Sequence, residues 1–523
     1  MATPHAGGFF LGVAPVPSTH PLVTMRAIPR VLGLAAVALA AACSDSSESS
    51  STGPTVTGAA TLSGTISTNR TLSKDTVYTI SGFVNVASGA TLTIPAGTKL
   101  VGDTAVTGSA LFILRGARII ANGSATQPIV FTSARSAGNR KPGDWGGLIL
   151  VGNARDNRSG SVIIEGSDAA VPGGIAGGVV YNGGTDDNDN SGLLRYVRVE
   201  FGGYAVALDQ ELNSFTLGAI GRATTLEYLQ SMAGLDDAFE WFGGTVDAKY
   251  LVSYEAGDDH FDTSEGFSGR VQFAIGLQTT VIQPRPGTGS PSVDPQGFEV
   301  DGCNGSGCTG GTLGGVTFNA QSSGAANGLF TMNFFSNFTL VGTGPGVVDA
   351  TAGGIGAVLR RGTGGYYING IFARWPKRAF TIRDSTSNNR LQVDSLIISG
   401  IYSVENAATY DTTGGGNAAW ATQAALTARG SAITVAAAGT TLAGTVFNAG
   451  FPAAGAIPTT TSLNWQPIAG APVNSIGISN FASVFGGKLA ARAGTFITPT
   501  SYVGAVDPSG SRWYEGWTVY YRN

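Results

Sequence analysis

Two consecutive stretches of this chain are near-copies, and that duplication limits the fold more than any other feature. Residues 226–244 read LEYLQSMAGLDDAFEWFGG and residues 248–266 read AKYLVSYEAGDDHFDTSEG. Tyr228 falls on Tyr250, Leu229 on Leu251, Ser231 on Ser253, Asp236 and Asp237 on Asp258 and Asp259, Phe239 on Phe261, and Gly244 on Gly266, each pair 22 residues apart. A period of this length, built from apolar β-formers, a turn and a glycine, is the mark of a solenoid whose rungs stack. Neither rung can bury its apolar face alone, so neighbours bury it for each other.

The composition suits that reading. Of 523 residues 78 are Gly, and only 12% are charged, about half the usual share for a soluble domain. From about Ala59 the text consists of short β-rich runs separated by Gly, Asn and Asp turns. TLTIPAGTKLVGD (91–103) and ALFILRGARIIANG (110–123) align with Leu92 on Leu111 and Gly97 on Gly116, an offset of 19. PIVFTSA (128–134), DWGGLILVG (144–152), GLFTMNFFSNFTLVG (328–342), 357–384 and 390–404 read as further rungs. The fold class expected is all-β, a solenoid over 59–523. One short inserted helix is expected near 417–430, with Asn417 as N-cap and Gly430 as the stop. The aromatic C-terminal WYEGWTVYYRN reads as a cap over the last rung.

Met25 reads as the initiator, with Arg26 and Arg30 preceding an apolar run, Val31 to Ala42. That run is too short for the ~30 Å core of a bilayer and has the length of a signal peptide. Residues 1–42 are thus expected to be leader and signal. Leu39-Ala40-Ala41-Ala42-Cys43 resembles a bacterial lipobox, with Ala40 where such boxes prefer Leu. The resemblance implies that Cys43 becomes a lipidated N-terminus; an ordinary secretory cleavage near Ala42 is the alternative. Residues 43–58 would then be the lipidated Cys and a Ser-rich tether. The formal net charge of −4 becomes −6 once Arg26 and Arg30 are removed with no acid, so no basic field for nucleic acid exists. The Gly-rich runs lack the strand–loop–helix setting and the Lys of a phosphate loop, which excludes nucleotide. Cys303 and Cys308, in a short Gly-rich loop of an exported chain, read as a disulfide.

IPAGTKL, PIVFTS, GGLILVGNA, SGLLRYVRVEFGG, DDAFEWFGGTVDAKYLV, DDHFDTSEGFSGRVQF, FITPTSYVGAVDP and RWYEGWTVY together resemble bacterial exported lipoproteins and surface proteins with a right-handed parallel, pectin-lyase-like β-helix. The resemblance implies a fold and a location on the outer membrane or cell surface. It does not imply a reaction, because a fold does not carry function.

In-register stacking would place Asp236 beside Asp258 and Asp237 beside Asp259. Strands about 4.8 Å apart would set such carboxylates repelling by roughly 3–4 kcal/mol at an effective dielectric near 20. Three outcomes stay open: turn aspartates that accept backbone N–H bonds, a Ca²⁺ site, or catalytic acids. Glu240, Asp262 and Glu265 are expected on the same edge. A second acidic loop, Asp187-x-Asp189-x-Ser191-Gly192, resembles half of a calcium loop. The twelfth position falls on Arg198, so it is no EF-hand. If only one calcium site exists, this loop is the one preferred.

His260 is the only histidine outside the leader, which excludes a multi-His metal site. Flanked by Asp259 and Asp262, it is expected to have a raised pKa. Tyr204, Trp241, Phe242 and Trp375 are candidates for an aromatic shelf, with core packing the plainer reading for each. No complete catalytic constellation appears, so an enzyme is not the first expectation. The expectation is a lipid-anchored envelope β-helix acting as a binding or structural module for polysaccharide or a surface partner, with calcium as a candidate cofactor. The alternative is a polysaccharide lyase or glycoside hydrolase using Asp236, Asp237, Asp258 and Asp259. A purely structural spacer or adhesin is a third reading.

Overall fold

The computed structural model describes residues 57–520, apart from 208–209, 287–288, 290–291, 293–294, 304–306, 309–310, 314–315, 319–328, 349–352, 384–394, 411–421 and 460–461. All of these belong to one unit, Thr52–Asn523. The chain passes back and forth between two parallel sheets, one of fifteen strands and one of ten. Each pass adds one rung. Every ladder within these two sheets is parallel, and rung stacks on rung as the 22-residue repeat requires: Leu226 on Ala248, Leu229 on Leu251 and Ser231 on Ser253 in the large sheet, Glu240 on Asp262 in the small one. The fold is the all-β solenoid expected.

The large-sheet strands are bent. In Thr225–Met232 both Leu226 and Leu229 reach the interior core, three residues apart, whereas a straight strand alternates with period two. The residue at the bend, Tyr228, has φ 56°, and its stacked counterparts Tyr196, Tyr250, Phe273, Asn337 and Asn369 have φ of 49–66°. A left-handed residue turns the strand and resets which side chains face inward. Non-glycine residues resist that conformation by about 1–2 kcal/mol, and ring stacking offsets the cost. Tyr196, Tyr228 and Tyr250 stack with centroids 4.3 Å apart and planes within 12°.

In earlier rungs the bend is a loop. Three residues separate Thr91–Pro95 from Lys99–Gly102, and six separate Arg118–Asn122 from Ile129–Ser133. Gly192–Glu200 joins both halves, pairing through 192–195 with the strand before that six-residue loop and through 197–199 with the strand after it. This corrects the offset of 19: Leu92 stacks on Ile119 and Leu111 on Val84, while Gly89, not Gly97, bonds to Gly116. An alignment at 19 matches a large-sheet strand with a small-sheet strand, because both alternate apolar residues.

Inside the coil, Phe215, Phe239 and Phe261 form a column with centroids 4.8 and 5.6 Å apart and planes within 11°. Gly244 and Gly266 close the small-sheet strands with φ of 85° and 87°, and a Cβ at Gly244 would lie 2.6 Å from the Ile220 carbonyl. Gly is required there.

Two expectations about the C-terminal third change. The helix is Gln423–Ala428, capped by Thr422, whose hydroxyl accepts the Ala425 N–H at 3.2 Å. Asn417 lies outside the described residues. Leu426 is buried and belongs to the interior core cluster that also holds Leu396, Ile398 and Ile401. A second helix, Lys488–Ala493, is present beyond the single one expected. The aromatic tail does not cap the last rung. It runs back along the outside of the large sheet, where Trp517 packs edge-on against Tyr196 and Tyr228 and Val519 N donates to Gln230 at 3.0 Å. The tyrosine column points outward, so its rings need cover on the flank.

Candidate functional site

The outer face of the small sheet changes character along the solenoid. One outward column runs Phe112, Ile149, Thr216, Glu240, Asp262, Glu299, Val358 through successive rungs. Its first part is roofed by Val162, Ile164, Val179 and Tyr181, packed on Phe112, Ile149 and Phe242. Three consecutive rungs then present acids.

A ladder of side chains runs beside this column at the turn entering each strand. Asn213 Oδ1 accepts Asp237 N at 3.1 Å, Asp237 Oδ1 accepts Asp259 N at 2.8 Å, and Asp259 Oδ1 accepts Gln296 N at 2.8 Å. Asp237 and Asp259 thus stitch rung to rung, the first of the three readings open for them. Both ends of the ladder also reach into the acid column. Asn213 Nδ2 donates to Glu240, and Gln296 Nε2 donates to Glu299 at 2.9 Å. Asp262, between them, receives no such bond, and its Oδ1 is buried without a hydrogen-bond partner.

Asp262 is also where carboxylates converge. Oxygens of Asp237, Glu240 and Asp262 lie within 4.8 Å of one another, as do those of Asp259, Asp262 and Glu299, and those of Asp236, Asp237 and Asp258. Glu165 and Glu211 add to the field on Asp236. Burial first, and then the neighbouring acids, push the carboxyls of Asp236, Asp237, Glu240 and Asp262 well above the ordinary range. Arg360 is the cation at this place: it pairs with Glu299, and its Nε lies 2.7 Å from Asp301 Oδ1. A cluster of oxygen acceptors whose central oxygen has no donor matches what a hard divalent cation takes. Protonated, the same carboxyls could donate a proton near neutral pH.

The five aspartates 236, 237, 258, 259 and 262 are therefore brought together. Glu265 is not with them. It lies past the far end of its strand, bonded to Arg158 and the Tyr181 hydroxyl, and burial pushes it up to about 7 against the opposing pull of Arg158. The Asp187 loop sits at that far edge as well. Asp187 is engaged by Arg155 at 2.5 Å, and Asp189 accepts from the Ser191 hydroxyl at 3.2 Å. The leading carboxylate of this loop therefore already has a cation.

His260 is 1% exposed; burial lowers it to about 3, and its Nδ1 lies 2.5 Å from Ser253 Oγ. It is a neutral interior residue, and the raised pKa expected from its acidic neighbours is corrected. Trp241 and Trp375 lie in the core, 1% exposed, and Phe242 is under Tyr181, so none of them forms a shelf. Tyr204 is half-buried, next to Gly203, which abuts the Asp236 backbone. Cys303 and Cys308 form a disulfide.

Sequence reading misses Glu299, Asn213 and Gln296, and it names Arg360 only as one of four arginines available to a lyase, with Arg195, Arg198 and Arg361, none tied to the acids. A signal is present: Phe239-Glu240, Phe261-Asp262 and Phe298-Glu299 repeat one inward Phe followed by one outward acid. Residues 64–450, well over half of the chain, match the family described as pectate-lyase like beta helix domain. Among curated proteins and among solved structures, nothing matches the chain.

Proposed function

Because the chain belongs to the pectate-lyase-like β-helix family, we propose that it is a carbohydrate-binding module of the bacterial envelope whose column Glu240–Asp262–Glu299 takes calcium and, with it, a polysaccharide. The observation carrying this reading is the partnerless, buried Oδ1 of Asp262 at the meeting point of two carboxylate triads. A cation there would supply the missing partner and offset the repulsion between rungs, leaving open coordination positions for sugar oxygens. Retention of the mature protein on immobilised acidic and neutral glycans, in calcium and in chelator, tests it. Calcium-dependent retention that Asp262→Asn abolishes is expected. Failure to retain any glycan in millimolar calcium would reject it.

One observation favours a second reading, a lyase or hydrolase. Carboxyls held protonated by burial lie beside Arg360, a pairing that could serve acid–base chemistry on a glycosidic bond. Product release from the same glycans, lost in Asp262→Asn, would promote it; binding without turnover keeps the module. The anchor is part of the proposal and rests on the lipobox and on the tether, which up to residue 56 lie outside the described residues. Cys43→Ser is expected to move the protein from the membrane to the soluble fraction, and persistent membrane association would refute the anchor.

A further inference from the structure

A separate cavity of about 540 Å³ lies between the outer face of the large sheet and the returning C-terminal segment. That volume is in the range of small-molecule sites. The sheet contributes Lys249, Tyr250 and Phe273, and the segment contributes Asn474, Tyr502 and Asp507.

Phe273 is the last ring of the outward aromatic column, stacked 5.1 Å from Tyr250, before the column changes to Asn337 in the next rung. Carbon surface and polar groups therefore meet in one place. The Asn474 side chain is fixed by its amide, which donates to Ile468 O at 3.0 Å. Its Oδ1 is buried and has no hydrogen-bond partner. Lys249 forms no ion pair among the described residues; its ammonium lies 4.7 Å from the centre of the Phe496 ring. Asp507 Oδ1 is occupied by Ser509 N at 2.9 Å.

We infer that this cavity is a second ligand site, for a neutral saccharide unit. One ammonium and one carboxylate face it, so their fields largely cancel and neither an anion nor a cation is favoured. Aromatic carbon suits the C–H face of a pyranose, and donors and acceptors of both kinds suit its hydroxyls. The site stands apart from the acidic column and needs no metal.

The test is titration of the mature protein with glucose, galactose, mannose, N-acetylglucosamine, maltose and cellobiose. Trp513, 5.2 Å from Tyr250, serves as fluorescence reporter, with calorimetry alongside. Saturable binding of at least one sugar is expected in chelator as in calcium. Lys249→Gln and Asp507→Asn, shown folded by unchanged melting, are each expected to weaken it about tenfold, the scale of one lost charge-assisted hydrogen bond. Asp262→Asn should leave it unchanged. No saturation by any of these sugars, or wild-type affinity in both cavity variants, would overturn the inference. Loss of the signal in Asp262→Asn would assign the binding to the acidic column instead and equally overturn it.

Discussion

Replacing Asp262 by Asn removes the middle charge of three stacked acids and keeps the side chain's shape. With rungs about 4.8 Å apart, two ionised carboxylates repel by about 3–4 kcal/mol at an effective dielectric near 20. Asp262 has such a neighbour on each side, Glu240 and Glu299, so full ionisation would cost about 7 kcal/mol, comparable with a whole domain's stability of roughly 5–15 kcal/mol. Burial, and after it this repulsion, raises these carboxyls, so the folded protein holds protons on them. A raised folded-state pKa contributes stability that is complete below the unfolded value, near 4, and is lost as pH rises through the folded value. In chelator the wild type should therefore melt lower at pH 8 than at pH 5. Asp262→Asn should flatten that slope and gain about 1–3 kcal/mol at pH 8, since a tenfold change in proton affinity is worth about 1.4 kcal/mol. For a chain of this size that is a rise of about 1–3 °C. Calcium at a hundredfold excess over its dissociation constant adds about 2.7 kcal/mol to the wild type and should add little to the variant. Differential scanning calorimetry at the two pH values, with calcium and with chelator, reads all of this. Equal pH slopes in the two proteins, or an equal calcium response, would refute the electrostatic account.

Asp237→Ala should lower stability by about 1–3 kcal/mol, because the buried Asp259 N–H loses its acceptor, whereas Asp237→Asn, which copies Asn213 one rung earlier, should hold or raise the melting temperature. If the two variants melt alike, the ladder is not what Asp237 is for. Phe239→Ala opens the interior phenylalanine column and should cost about 3–5 kcal/mol, measurable by denaturant unfolding; a loss below about 1 kcal/mol would mean that the column collapses to fill the space. His260, neutral and buried, should show no ring titration by NMR between pH 5 and 8, and a midpoint near the ordinary value of about 6.5 would place it in solvent.

How far the sequence reaches can be traced to the corners of the coil. Where a single left-handed residue makes the bend and no longer turn intervenes before the next one, as between Tyr228 and Tyr250, the rungs align by eye. Where the bend is three or six residues long, the spacing drifts, and strands of different sheets imitate each other. The same corners decide the acidic site. Neighbouring aspartates 236 and 237 have identical chemistry, and only the turn shows that Asp237 faces a backbone N–H while Asp236 faces the other acids. The column Glu240, Asp262 and Glu299 escapes a periodic reading for a different reason: the third rung is spaced 37 residues from the second rather than 22, so a strict period steps past it.

The aromatic tail is misplaced by any reading that assigns tyrosine and tryptophan to the inside by default. A left-handed corner throws its side chain outward, so the column that stabilises the bend creates an apolar ridge on the surface. A coil bent by aromatic corners must bring a second segment to its flank, whereas one bent by asparagine could satisfy its corners with hydrogen bonds. This chain does both. Trp513 and Trp517 cover the tyrosine corners, and Asn337 donates to the Thr500 hydroxyl at 2.8 Å. The cavity beside Phe273 lies where one solution gives way to the other, which is why ring carbon and polar groups meet at this rung.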